Sequence, residues 1–176
     1  RGTAEQLTPT WLKLLADAYY RLEKGEEALA VLGLLSERTP ADPDIDLNRG
    51  QVYALLGKTD LALESLKKSI EKSTVNAAAY FELGKILYQR NELEAAKQAL
   101  LEAVRQDGTN PEYFYRLGVV CLARGEVDEA IQYLERVGPS GPDLPQIYNT
   151  LGRAYREKGE RAKADEYRKR FQEITS

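Results

Sequence analysis

Apolar and small residues fall into short helical stripes separated by polar turns. Between residues 77 and 110, Tyr80, Leu83, Gly84 and Leu87 recur at steps of three, one and three, which places them on one face of a helix. The polar run Gln89-Arg90-Asn91-Glu92 breaks this stripe. Leu93, Ala96, Leu100 and Ala103 then begin a second one. Asp107-Gly108 closes the pattern, with the glycine expected in a left-handed C-cap position. The stretch predicts two helices joined by a short turn.

This pattern returns at a fixed interval. Ala28, Ala62, Ala96, Ala130 and Ala164 stand on one 34-residue grid, and so do Gly50, Gly84, Gly118 and Gly152. Pro9, Pro43, Pro111 and Pro145 keep to the same spacing. A chain that repeats without slipping predicts a stacked array rather than one globular core. The units run over residues 9–42, 43–76, 77–110, 111–144 and 145–176, with residues 1–8 as a linker remnant. The expected fold class is all-α, an open array of about ten helices with about four-fifths of the chain helical.

Local chemistry supports these elements. Thr8-Pro9, Asp42-Pro43 and Asn110-Pro111 each set a capping residue before a proline at the first helical position, and Asn76 is a further N-cap. Pro145 follows Leu144 and lacks the cap. Gly50, Gly84, Gly118 and Gly152 fall inside first helices, where glycine costs about 1 kcal/mol relative to alanine. Close approach of the second helix, at the grid alanines, is the expected offset. Gly57, Gly125 and Gly159 sit in the turns within units, where a positive φ is easily met. Gly138-Pro139-Ser140-Gly141-Pro142-Asp143-Leu144-Pro145 is the strongest loop signal, expected to end the fourth second helix early and to act as a stiff connector that keeps register, with a hinge as the alternative.

The net charge is −3, which gives no electrostatic case for nucleic acid. Residues 111–144 carry three basic and six acidic residues, and residues 145–176 carry eight and five, a mixed solvated surface. Cys121 is the single cysteine, so neither a disulfide framework nor a metal cluster is expected, and histidine is absent. No apolar run approaches membrane-spanning length, so no membrane insertion is expected. The chain begins at Arg1 and contains no methionine, the expectation for a piece or a processed form. No compartment is indicated.

The residues on this grid resemble the tetratricopeptide repeat, a helix-turn-helix unit of the same length. Tyr80, Leu83-Gly84, Tyr88, Ala96, Leu100 and Ala103 carry the likeness most closely. Gly50, Tyr53, Gly57 and Ala62 match in the second unit. Phe114, Leu117-Gly118, Gly125, Ala130 and Pro142 match in the fourth, and Tyr148, Leu151-Gly152, Tyr155, Gly159 and Ala164 in the fifth. The first is looser, with Ala16 in place of glycine, though Tyr19, Ala28 and Pro40 keep register. The resemblance implies a right-handed α-α superhelix, a solenoid of five such units, with first helices lining a concave groove.

Each first helix carries one stripe at unit positions 4, 7, 8 and 11, expected to be buried, and another at positions 2, 5, 9 and 12. The second stripe is free for a partner. It is apolar and aromatic in the middle of the chain, with Phe81, Tyr88, Tyr115, Val119 and Leu122, and polar and basic toward the end, with Arg153 and Arg156. Aromatic residues in a desolvated patch are typical binding hot spots. Lys85 and Arg116 flank them. The alternative is that neighbouring helices cover the rings.

Some family members bind chaperone tails through a two-carboxylate clamp. Lys13 and Asn48 match that pattern, but Asp17, Ala78 and Glu82 replace its remaining positions, and Glu82 would repel a carboxylate. Heat-shock chaperone tails are therefore not the expected partner. Catalysis has no candidate base beside a nucleophile. Cys121 stands at a slot held by Tyr19, Tyr53, Leu87 and Tyr155, as a packing residue rather than a reactive thiol. Arg168 stands where Leu32, Leu66, Leu100 and Leu134 stand in other units, as expected of a solvent-facing cap.

The function expected is a non-catalytic, cofactor-free protein- or peptide-binding scaffold. The alternatives are a structural subunit of a secretion, pilus or envelope assembly, including self-association as a homo-oligomer, and the regulatory arm of a larger enzyme.

Overall fold

The computed structural model describes residues 7–137 and 144–175. Ten helices follow one another among them: α1 Pro9–Arg21, α2 Gly25–Arg38, α3 Pro43–Leu55, α4 Thr59–Lys72, α5 Ala77–Gln89, α6 Leu93–Gln106, α7 Pro111–Ala123, α8 Val127–Arg136, α9 Leu144–Lys158 and α10 Arg161–Thr175. The described residues contain no strand. Of the described residues 82% are helical, in line with the four-fifths expected of an all-helical array.

The starts of α1, α3, α5 and α7 keep the repeat spacing because a capping side chain sets each one. Asp42 accepts a hydrogen bond from the Asp44 amide at 3.0 Å, Asn110 from that of Glu112 at 3.0 Å, and Asn76 from that of Ala79 at 3.1 Å. Thr8 makes a longer bond to the Trp11 amide, 3.4 Å. α8 stops at Arg136 after 10 residues, where α6 runs for 14, so the early end expected there is observed. The connector itself, residues 138–143, lies outside the described residues, as do residues 1–6 of the expected linker.

Each turn between paired helices has one residue with positive φ, at one grid position: Glu23 (57°), Gly57 (69°), Asn91 (61°), Gly125 (78°) and Gly159 (88°). Glycine at three of them matches expectation. Gly108 does not: it is absent from the positive-φ residues, and α6 ends on Asp107 at φ −135°. The Asp107 carboxylate instead accepts from the Thr109 amide and hydroxyl at 3.0 and 2.6 Å, so a side-chain turn closes this end.

The chain forms two compact units, Arg1–Ile86 and Leu87–Ser176. In the first, Leu12, Ala16, Ala28, Leu32, Ile45 and Val52 build one buried cluster, and Ala62, Leu66, Ala79 and Ile86 a second. Ion pairs link successive helix pairs, Lys13 to Asp42 at 2.7 Å and Lys58 to Glu26 at 2.9 Å, while Lys72 to Asp46 at 2.6 Å joins the two helices of one pair. Asp46, at unit position 4, is buried as expected of that stripe, although it is not apolar. It is buried as a carboxylate, with Lys72 and Arg49 as counter-charges.

In the second unit Tyr113, Phe114, Leu117, Val120, Cys121, Ala130, Leu134, Ile147, Leu151 and Tyr155 are buried. The close approach at the in-helix glycines is visible in both units. A Cβ on Gly50 would lie 2.7 Å from Leu66 Cγ, and one on Gly118 2.6 Å from Leu134 Cγ. The grid alanines contribute backbone to the same contact, with Ala62 O 3.4 Å and Ala130 O 3.2 Å from those Cβ positions. Arg168 is exposed, as expected, and pairs with Asp165 at 3.4 Å.

Candidate partner-binding surface

A first helix uses more than one face for packing. Besides the stripe toward its own second helix, positions 3 and 10 are buried in α3 (Ile45, Val52), α5 (Ala79, Ile86), α7 (Tyr113, Val120) and α9 (Ile147, Ala154). Second helices supply the cover, since α2 packs on α3, α6 on α7 and α8 on α9. What remains for a partner is therefore narrower than the sequence pattern implies.

In the first unit, Phe81 is only 6% exposed, which corrects its expected place as a contact anchor. Lys85 lies over its ring at 5.2 Å and pairs with Glu82 at 2.9 Å. The Gln51 amide also donates to Glu82 at 3.2 Å, so this carboxylate is held within the unit. Lys13 is engaged too, by Asp42 and by Asp44 at 2.7 and 3.2 Å, and its pKa rises through the hydrogen bond to Asp42. Its ammonium already has two carboxylates where a clamp would need it free.

In the second unit, Leu122 is 4% exposed and is likewise corrected from surface to core. Tyr88, Tyr115 and Val119 are half-buried, and Arg153 and Arg156 are exposed. Arg116 lies over the Tyr115 ring at 5.7 Å, with Glu112 4.0 Å from its Nε. Arg153 pairs with Glu157 at 3.4 Å. Arg156 makes no ion pair among the described residues. It lines an open concavity of about 320 Å³ with Arg161, Ala164, Asp165 and Arg168.

A second concavity of about 300 Å³ has Leu134, Ile147 and Leu151 as apolar lining, with Glu135, Tyr148, Tyr167 and Arg170. Tyr155 stacks on Tyr167 with centroids 5.6 Å apart, and its hydroxyl donates to Glu135 at 2.5 Å. Burial and that bond push the Tyr155 phenol up to about 12. Arg170 lies over both Tyr148 and Tyr167. Sequence reasoning missed this cluster. The signal was there, because Phe114, Tyr133 and Arg136 hold the matching positions one repeat earlier, with Arg136 over Phe114 at 4.5 Å.

One group brings metal-type ligands together: Cys121, Glu126 and Glu129, with ligand atoms within 4.8 Å of one another. Lys97 already lies 2.8 Å from both carboxylates. Its pKa is raised by hydrogen bonds to Glu126 and then Glu129, while burial pushes the Cys121 thiol up to about 12. An added cation would have to displace the ammonium and deprotonate the thiol, so these residues fit an internal ion pair better than a metal centre.

A tetratricopeptide repeat model matches residues 13–77, 56–111 and 81–145, and a second one matches residues 145–175. The chain belongs to the tetratricopeptide repeat family. Among solved structures, one described as MamA is 30% identical, with a TM-score of 0.79 over 90% of this chain and 93% of that one. Pseudomonas aeruginosa PilF is 25% identical, with a TM-score of 0.85 over 94% of this chain and 75% of that one. YrrB, described as a tetratricopeptide repeat protein with an unusual peptide-binding site, shares the fold at 22% identity, with a TM-score of 0.75 over 90% and 82%. No curated protein matches the chain. No described helix is long and apolar enough to cross a membrane.

Proposed function

We propose that the chain is a non-catalytic protein- or peptide-binding module whose second unit carries the contact surface. Tyr115 and Val119 on α7 offer an apolar stripe, and Arg153 and Arg156 stand on α9, which touches α7. Tyr88 at the end of α5 adds a further half-buried ring. The observation that carries this reading is Arg156, exposed and without an ion pair among the described residues, on a helix next to a half-buried tyrosine. A segment with apolar side chains followed by acidic ones fits that order. Apolar groups would cover the Tyr115 ring, and carboxylates would meet guanidinium groups, which bind them in a fork geometry.

The test is a Tyr88→Ala/Tyr115→Ala double variant, compared with the parent for capture of a partner that is then purified and re-measured. Truncating such hot spots costs about 2 kcal/mol or more, roughly thirtyfold in affinity. Unchanged helicity with lost binding supports the surface. Unchanged binding moves the contact elsewhere on the protein.

A further inference from the structure

A pocket of about 60 Å³ opens between α1, α2 and α3, wholly inside the first unit. Ala16, Leu32 and Val52 give it an apolar floor, and all three are buried. Asp17 and Tyr20 stand beside it on α1, and Asn48 and Gln51 on α3. Each of these pairs is spaced by three residues, which sets its two side chains on one helical face. The same four positions on α7 and α9 hold Val119, Leu122, Thr150 and Arg153. The polar, acidic lining therefore belongs to this pocket and not to the repeat.

The polar groups of the walls are largely uncommitted. Tyr20 and Asn48 are half-buried, and neither side chain makes a hydrogen bond among the described residues. Gln51 donates its amide N–H to Glu82 at 3.2 Å, which holds that end and leaves its carbonyl oxygen available. Asp17 accepts from Arg21 at 2.8 Å through Oδ2, in a pair whose two side chains are more than half exposed. Exposed pairs of this kind are easily displaced. Lys13, the preceding base on α1, is held by Asp42 and Asp44 instead.

This lining selects among occupants. Asp17 carries its one formal charge, and the amide oxygens and phenol beside it accept hydrogen bonds. An anion would meet a carboxylate. A wholly apolar group would strip water from four polar side chains and replace none of their bonds. A guanidinium answers each feature: its planar N–H fork reaches carboxylate and amide oxygens together, a tyrosine ring attracts it, and its methylene stem suits an apolar floor. About 10–15 Å³ of such space takes one water, so the pocket fits the end of one side chain rather than a whole small molecule. We infer that this pocket takes an arginine side chain from a partner protein, with Asp17 pairing its charge. The site lies in the first unit and uses neither Tyr115 nor Arg156, so it stands or falls separately from the surface proposed above.

The probe is the blocked tripeptide acetyl-Gly-Arg-Gly-amide, titrated into the isotope-labelled whole protein and followed by NMR. The side-chain amide signals of Asn48 and Gln51 are expected to shift saturably at millimolar peptide. The same peptide with citrulline, which keeps the shape of arginine and lacks its charge, should bind about tenfold more weakly. Asp17→Asn should weaken the arginine peptide by a similar factor with helicity unchanged. Arg21→Gln, which releases Asp17, should tighten it. The Tyr88→Ala/Tyr115→Ala variant should bind it as the parent does. Amide signals that never move, or shifts equal for arginine and citrulline, overturn the proposal without recourse to any variant. Binding indifferent to Asp17→Asn overturns it as well.

Discussion

Gly118 lies so close beneath Leu134 that a Cβ on the glycine would sit 2.6 Å from the leucine Cγ, with Ala130 O at 3.2 Å. The equivalent position at Gly152 meets nothing nearer than Ala164 O at 3.5 Å, because Arg168 replaces the leucine and turns to solvent. Both glycines stand inside helices, where alanine is favoured by about 1 kcal/mol. At Gly152 only that preference acts, so Gly152→Ala should raise stability by about 1 kcal/mol. At Gly118 overpacking opposes it, typically by about 1–3 kcal/mol, so Gly118→Ala should lower stability or at best leave it unchanged. Urea denaturation of the two variants checks the pair. Equal shifts in one direction would mean that the leucine does not set the spacing.

Glu23 is the non-glycine residue that opens the series of left-handed turns, at φ 57°. Its Cβ crowds the carbonyl oxygen in this region, at a cost of about 1–2 kcal/mol that glycine avoids. Glycine also has more freedom to lose on folding, which cuts the gain. Glu23→Gly should therefore stabilise by about 1 kcal/mol, whereas Gly57→Glu should destabilise by a similar amount. Thermal melts of both variants check the sign. A Glu23→Gly protein that melts lower than the parent would contradict the turn geometry.

The repeat chemistry was legible because each element boundary is set locally. Asp42-Pro43 and Asn110-Pro111 start helices by capping, and Gly57, Gly125 and Gly159 end turns by φ, all within a few residues. The coverage of a face was not legible in the same way. Phe81 and Leu122 share a stripe with the half-buried Tyr115, yet both are buried. The stripe fixes direction around one helix, while burial depends on the neighbours and on how each side chain lies. Asp46 shows the same limit, since its slot is apolar elsewhere and its counter-charge, Lys72, lies on the next helix.

Lys97 joins α6 to the start of α8 through Glu126 and Glu129. Glu126 is held below its ordinary value of 4.5, chiefly by the hydrogen bond from Lys97. A depressed carboxylate contributes stability that is present above its unfolded value and lost as pH falls through the folded one. The raised Lys97 contributes stability that is present below 10.5 and lost as pH rises through its folded value. Lys97→Gln should cost about 1 kcal/mol at pH 7. It should also flatten the loss of stability below pH 4.5. Urea midpoints at pH 7, 5, 4 and 3 check both effects. An acid limb as steep as the parent's would show that other carboxylates carry it.

Cys121 is fully buried in α7, and desolvation pushes its thiol up to about 12. Disulfide exchange needs the thiolate, and burial also denies access to the reagent. At pH 8 a thiol of this kind is ionised to only about one part in ten thousand, whereas an unfolded cysteine is ionised to roughly a quarter. Reaction with Ellman's reagent should therefore be very slow in the native protein. It should accelerate with urea in parallel with the loss of helix packing, because it proceeds through opening of the α7 region. The single cysteine makes the signal specific to that region. Complete labelling within seconds, without denaturant and with full helicity retained, would show that the thiol is not enclosed and that the packing of α7 against α8 is wrong.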